Sequence, residues 1–172
     1  MDVVKWILSR GLCMGIVLFG LTTSVAAERT FHGHVVGISD GDTLTILDSQ
    51  RRQHKIRLQG IDAPESKQAF GQASKRHLSN LAFNRQVVAE CGKTDRYKRQ
   101  VCRVMVEGID ANLEQVKAGM AWWYRKYANE QPERHRQEYK AAEDAARGAR
   151  FGLWADAEPL PPWEWRKAKR EN

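Results

Sequence analysis

Three cysteines in 172 residues are too few for a disulfide-dense scaffold, and they form no zinc-binding pattern. Five prolines and 13 glycines exclude a collagen-like chain, and 42% hydrophobic residues exclude a disordered one. No apolar run reaches the roughly 20 residues of a spanning helix, so a polytopic membrane chain is also excluded. Acidic residues are in deficit, 21 Asp+Glu against 28 Lys+Arg, giving +7 and a pI near 9.5. That balance suits a polyanionic partner. With no internal repeat and no second domain in view, these values describe one globular domain with an ordinary core.

The first residues read as an export signal rather than as part of the fold. Lys5 and Arg10 precede the apolar stretch from Leu12 to Leu21, and small residues follow at Ser24-Val25-Ala26-Ala27. A basic start, a short apolar run and a small-residue exit describe a secretory signal peptide over 1–27, cleaved after Ala27 or, as the alternative, Ala26. Cys13 lies inside the run rather than after it, which argues against a lipoprotein anchor. The mature chain is expected in the periplasm or outside the cell, without stable membrane association. Cys91 and Cys102 then remain as an even pair in an oxidising compartment, flanking a turn-rich segment as cross-strand candidates for a disulfide. The alternative is two buried free thiols.

Period-two alternation runs from Thr30 to Leu58, through His34–Ile38, Thr43–Leu47 and His54–Gln59, with polar turns at Ser39-Asp40-Gly41 and 48–52. This predicts antiparallel hairpins. Val87–Cys91 and Val101–Val106 add two strands around a basic turn. A helix is expected to open at Pro64 with Phe70, Ala73, Leu78 and Leu81 at helical spacing; a second is capped by Asn112 and closed by Gly119; a third runs from about Pro132 to Arg147. Five short strands with three α-helices predict an α+β fold built on a five-stranded barrel over 28–154. The tail 155–172 carries Pro, Trp and charge of both signs and is expected to be loosely held.

Three clusters carry residues capable of chemistry: Asp40-Gly41-Asp42-Thr43, Arg57-Leu58-Gln59-Gly60-Ile61-Asp62-Ala63-Pro64-Glu65 and Thr94-Asp95-Arg96-Tyr97-Lys98-Arg99. Singly, each has a bland reading: a hairpin turn, a helix start, a solvated loop. Together they fit phosphodiester hydrolysis, which requires charge neutralisation at phosphate, a positioned water and a base. Asp42 and Asp62 are hard oxygen ligands suited to Ca²⁺ or Mg²⁺. Glu65 stands close enough in sequence to hold water beside such an ion, and Arg57 and Arg99 supply fork-shaped donors for phosphate oxygens. His32-x-His34 could bind a transition metal but, near the mature N-terminus, reads as incidental; His54 and His77 have no partners at ligand spacing, and His135 starts the last helix and reads as structural. Arg147, Arg150, Arg166, Lys167, Lys169 and Arg170 read either as an extended phosphate-binding surface or as solvated charge.

These motifs, with Asn112-Leu113 and Gly119-Met120-Ala121, resemble the staphylococcal nuclease (thermonuclease-like) family from about His34 to Trp154. The resemblance implies an OB-fold barrel with three helices and calcium-dependent cleavage of DNA and RNA, with low sequence specificity, to 3′-phosphate products, by a monomer. It implies Asp42, Asp62 and the Ala63 carbonyl as calcium ligands. It further implies Glu65 as general base, acting directly or by ordering water, and Arg57 and Arg99 as stabilisers of the charged transition state. Arg96 and Tyr97 are implied as substrate contacts. Tyr124 and Tyr127 compete for the base-stacking position, because counting from Gly119 and back from Trp154 gives different registers. Trp122 and Trp123 read as core packing. Lys98 stands where the family usually has Gly, so the loop carrying Arg99 is expected to bend differently. The alternative to an enzyme is an OB-type nucleic-acid-binding module that has lost its chemistry.

Overall fold

In the computed structural model, which describes residues 29–171, the chain runs through β1 (Arg29–Asp40), β2 (Thr43–Asp48), β3 (Gln53–Leu58), β4 (Ile61–Asp62) and α1 (Gly71–Ala82). Next come β5 (Gln86–Thr94), β6 (Gln100–Val106), β7 (Ile109–Asp110) and α2 (Ala111–Lys117). The chain ends in β8 (Trp122–Trp123), α3 (Glu133–Gly148) and α4 (Pro162–Glu171). The signal read over 1–27 lies outside the described residues.

Alternation along β1, β2, β3, β5 and β6 puts every second side chain into one core. Val35, Leu44, Ile46, Ile56, Leu58, Ala89 and Val104 are all buried there. Complete burial of each large aliphatic contributes about 1.5–3 kcal/mol. The strands pair antiparallel in the order β3-β2-β1-β5-β6, and a parallel pairing of β3 with β6 (Arg57 opposite Val101) closes the five-stranded barrel. Two register shifts in the β1–β2 ladder, between Val35 and Gly37 and between Ile38 and Asp40, bend that hairpin just before the Asp40-Gly41-Asp42 turn. Cys91 and Cys102 face each other across β5 and β6 and are joined by a disulfide.

Helix boundaries depart from the sequence pattern in three places. The segment after Pro64 is a series of turns, and α1 begins only at Gly71, after Phe70 in the left-handed region (φ 63°). Its buried face is Gly71, Ser74, Leu78 and Ala82. Asp110, not Asn112, caps α2, accepting from the Leu113 N–H at 3.1 Å. Asn112 is instead buried inside the helix: its Oδ1 accepts from Val104 N–H at 3.1 Å, and its Nδ2 donates to the Gln59 and Cys102 carbonyls at 3.0 Å each. It ties α2 to the strand end that leads into Asp62. The third departure is the tail: rather than hanging loose it forms the fourth helix, α4, packed on a second apolar cluster of Trp122, Ala146, Leu153 and Trp154. Trp122 and Trp123 are buried as expected.

Candidate active site

The turn between β1 and β2 aims Asp42, and glycine is required in it. A Cβ on Gly41 would lie 1.8 Å from Ser74 Oγ and 2.8 Å from the Ala63 Cβ, so only a residue without a side chain lets the turn press against α1. Buried Gln115 holds the Gly41 carbonyl at 2.5 Å, and the Asp42 carbonyl accepts from Leu58 N–H at 2.8 Å. The Asp42 carboxylate then reaches across to the next segment, accepting from Ala63 N–H at 2.8 Å and from the Thr43 hydroxyl at 3.0 Å. Asp62 is fixed from the other side, where β4 pairs with β8 and Asp62 lies opposite Trp122.

One arginine joins the two carboxylates. Arg57 Nη2 lies 3.0 Å from Asp42 Oδ2 and 2.9 Å from Asp62 Oδ1, while its Nη1 donates to the Leu58 carbonyl at 2.9 Å. Two oxygens from separate segments thus converge on one nitrogen. Asp62 is 1% exposed and Asp42 6%. Burial raises the Asp62 carboxyl above the ordinary carboxylate range, with the neighbouring Asp42 charge adding to it, while Arg166 and Arg57 oppose the shift. Burial and Asp42 push Asp40, two residues along the turn, up to about 7.

Glu65 stands in the turn before α1, its backbone N–H donating to Gln68 Oε1 at 3.1 Å. Gly71 packs so closely that a Cβ there would lie 1.9 Å from the Glu65 carbonyl oxygen, which sets how near this turn lies to the helix. Arg99 enters from the β5–β6 loop, paired with Asp95 at 2.8 Å and reaching Thr43 Oγ1 at 3.4 Å. Lys98, just before it, takes the left-handed conformation (φ 62°), and the loop closes through Lys98 N–H to the Asp95 carbonyl at 3.0 Å. Arg96 donates to the Tyr97 hydroxyl at 2.7 Å at the exposed tip.

Asp42, Arg57, Asp62, Ala63, Glu65, Arg96, Tyr97 and Arg99 line one cavity of about 800 Å³ that also takes in Tyr124 and Tyr127. The two tyrosine rings meet edge to face with centroids 5.1 Å apart, so both competing registers fall on the same wall. Burial, helped by the Asp62 charge, raises the Tyr124 phenol. Lys93 stands over Tyr127 at 4.8 Å. The histidines are elsewhere: His34 on Asn84, His54 on Asp48 and His77 on Gln115.

The fold brings Arg166, which the sequence leaves between an extended phosphate-binding surface and solvated charge, to the carboxylates. Arg166 of α4 donates Nη2 to Asp62 Oδ2 at 2.7 Å and Nη1 to Glu65 Oε1 at 2.8 Å. Trp163, one turn earlier, stacks on Tyr124 with ring centroids 5.4 Å apart and 10° between planes. The signal for α4 is present in Pro162 at its start, Glu164 in its first turn and Lys169 and Arg170 in its last.

Among the described residues no three His, Cys, Asp or Glu side chains form a group able to hold a metal ion. The candidate donors are instead two carboxylates and backbone oxygen, with no sulfur or imidazole. Such a set fits a hard divalent cation that keeps part of its water shell.

A five-stranded OB-type barrel with carboxylates and arginines gathered at one cavity is an architecture that binds oligonucleotides or oligosaccharides. The family described as Staphylococcal nuclease homologue matches residues 55–156. A Haemophilus influenzae protein named "Uncharacterized endonuclease" is 45% identical over 158 residues, covering 91% of this chain and 84% of its own. An Escherichia coli O157:H7 protein of the same name is 40% identical over 139 residues, 80% and 86% of the two chains. A Shigella flexneri protein named "Micrococcal nuclease" is 38% identical over 159 residues, 87% and 88%. The chain belongs to the staphylococcal nuclease family, a family of nucleases.

Proposed function

We propose that this protein is an exported, calcium-dependent nuclease that hydrolyses phosphodiester bonds of DNA and RNA with low sequence specificity. The observation that carries the reading is the convergence of Asp42 and Asp62 on Arg57 Nη2, with Glu65 and Arg99 on the same cavity. Asp42, Asp62 and the Ala63 carbonyl are the groups that would hold the ion, which when bound supplies neutralisation of phosphate charge. Glu65 takes the proton of the attacking water, directly or by ordering it. The water oxygen adds to phosphorus as the bond to the 5′-oxygen breaks; the leaving oxygen takes up a proton, and the phosphate stays on the 3′ side. Arg57 and Arg99 donate to the phosphate oxygens, where charge builds in the transition state. Arg96, Tyr97 and the Tyr124–Tyr127 wall hold the rest of the nucleotide by charge and stacking, the latter worth about 1–3 kcal/mol per base.

Export is supported by the basic, apolar and small-residue succession over 1–27 and by the Cys91–Cys102 disulfide, which suits an oxidising compartment. No described helix is long and apolar enough to cross a membrane. One chain supplies every site residue named here, which supports action as a monomer.

The test is an assay of the purified mature protein on single- and double-stranded DNA and RNA, with calcium and with chelator. Calcium-dependent hydrolysis is expected on all four. Binding without hydrolysis under any condition would instead identify a nucleic-acid-binding module.

A further inference from the structure

Helix α4 places two different groups on the two halves of this cavity. Arg166 forks onto Asp62 and Glu65, taking up Asp62 Oδ2 at 2.7 Å and lying 3.3 Å from Oδ1, the oxygen Arg57 also uses. Its pairing with two carboxylates outweighs the burial that acts against the charged guanidinium, so this cation stays charged at every working pH. Three residues before it, Trp163 lies flat against Tyr124, its ring also meeting Trp122 edge-on at 5.5 Å. A cation in the carboxylate nest and a flat ring on the tyrosine reproduce, from within the chain, the two chemical features of an ion and a nucleobase.

Helix α4 is held by side-chain contacts rather than by the strand ladder of the barrel. Pro162 is its one buried residue, and no strand pairing holds it. Its lead-in is tied by Gln68 Nε2 to the Leu160 carbonyl at 2.6 Å, and the same Gln68 receives the Glu65 N–H. Lys167, Lys169, Arg170 and Glu171 face solvent. The chain enters α4 through Glu158-Pro159-Leu160-Pro161, whose two prolines make it stiff.

Resting on the nuclease reading above, we infer that α4 is an internal latch. Arg166 and Trp163 occupy the ion-binding carboxylates and the base-stacking face of Tyr124, and a divalent ion with its nucleotide must displace them. Asp62 cannot give both oxygens to Arg166 and ligate an ion with the same lone pairs. The apparent affinity for calcium is then reduced by the fraction of molecules with the latch open; a latch closed about nine-tenths of the time weakens it about tenfold. Once released, α4 carries four basic side chains beside the site, so substrate phosphate favours the open form.

Calcium titration calorimetry of the full mature chain, without nucleic acid, tests this. Arg166→Gln and Trp163→Ala are each expected to bind calcium about tenfold more tightly than the parent, and saturating calcium should speed amide exchange across residues 162–171 in the parent. Calcium affinity of Arg166→Gln within twofold of the parent, or unchanged exchange in α4, overturns the latch. So does a loss of oligonucleotide binding in that variant at unchanged calcium affinity, which would make Arg166 a substrate-gripping arm. If the parent is calcium-activated while the variants bind no better, the nuclease reading stands without the latch. If calcium binds none of these proteins and chelator spares hydrolysis, the ion-dependent reading itself falls, and the latch with it.

Discussion

Replacing Arg57 by alanine is the perturbation on which the structure speaks most fully. The change deletes three contacts at 2.9–3.0 Å: to the Leu58 carbonyl, to Asp62 and to Asp42. It leaves two carboxylates, their side chains 8% and 1% exposed, facing each other across the space the guanidinium filled. Removing one partner of a buried pair costs about 3–5 kcal/mol. Here the lower end applies, about 3 kcal/mol, because Asp42 keeps the Ala63 N–H and the Thr43 hydroxyl and Asp62 keeps Arg166. For a chain of this size that is a fall in Tm of roughly 6–12 °C. Losing the guanidinium raises the Asp62 carboxyl further above its ordinary value. A carboxyl with a raised folded-state pKa stabilises the fold at low pH and loses that contribution as pH rises, so the deficit is smallest near pH 4 and largest at neutral pH. Added calcium should recover part of it. In steady-state kinetics, measured well below the melting transition, kcat should drop by roughly 10²–10⁴-fold with a smaller change in KM. Arg57→Lys should retain most of the stability and little of the turnover, since one ammonium cannot reproduce the fork. An alanine variant that melts within about 1 kcal/mol of the parent, or loses kcat and KM equally, would refute the bridging role.

Glu65→Gln is expected to fold normally, bind oligonucleotide and calcium, and lose two or more orders of magnitude in kcat; near-parental turnover would remove Glu65 from the mechanism. In chelator the parent should be more stable near pH 4 than at pH 8, because Asp40, pushed up to about 7, stabilises the fold below pH 4 and loses that contribution as pH rises through 7. Asp40→Asn should flatten that slope in denaturant titrations, and an unchanged slope would place the linkage elsewhere. Reducing the Cys91–Cys102 bridge, which closes a short loop with a sequence separation of 11, should cost about 2–3 kcal/mol in calorimetric melts; an unchanged Tm on complete reduction would mean the barrel needs no staple.

Much of this arrangement is legible in the residues. Alternation over β1 to β3 and the Asp-Gly turn are local signals, and the barrel follows from them. The convergence of Asp42 with Asp62 is not local: it depends on Gly41 seating against Ser74 and on Asn112 clamping Gln59, and only the folded chain shows either. Asn112 suits a cap because asparagine serves equally well at a helix start, yet Asp110 two residues earlier takes that role. Pro64 suggested a helix start, but Gln68 binding back onto Glu65 keeps the segment turned until Phe70. Helix α4 carries start and stop signals in its residues, but it is short and lies in a Pro-rich, charged tail, and its place over the cavity is a long-range contact. The contacts that bring it to the site, Trp163 on Tyr124 and Arg166 on Asp62, join partners about 40 and 100 residues apart in sequence.

The most direct measurement is a crystal structure of the mature protein soaked with calcium and a short oligonucleotide, with the ion located by its anomalous signal. The account predicts a single peak within about 2.3–2.6 Å of oxygens from both Asp42 and Asp62, with a phosphate reached by Arg57 and Arg99 and with Glu65 beside its water. An ion bound elsewhere, or phosphate seated with no ion between those two carboxylates, would contradict it.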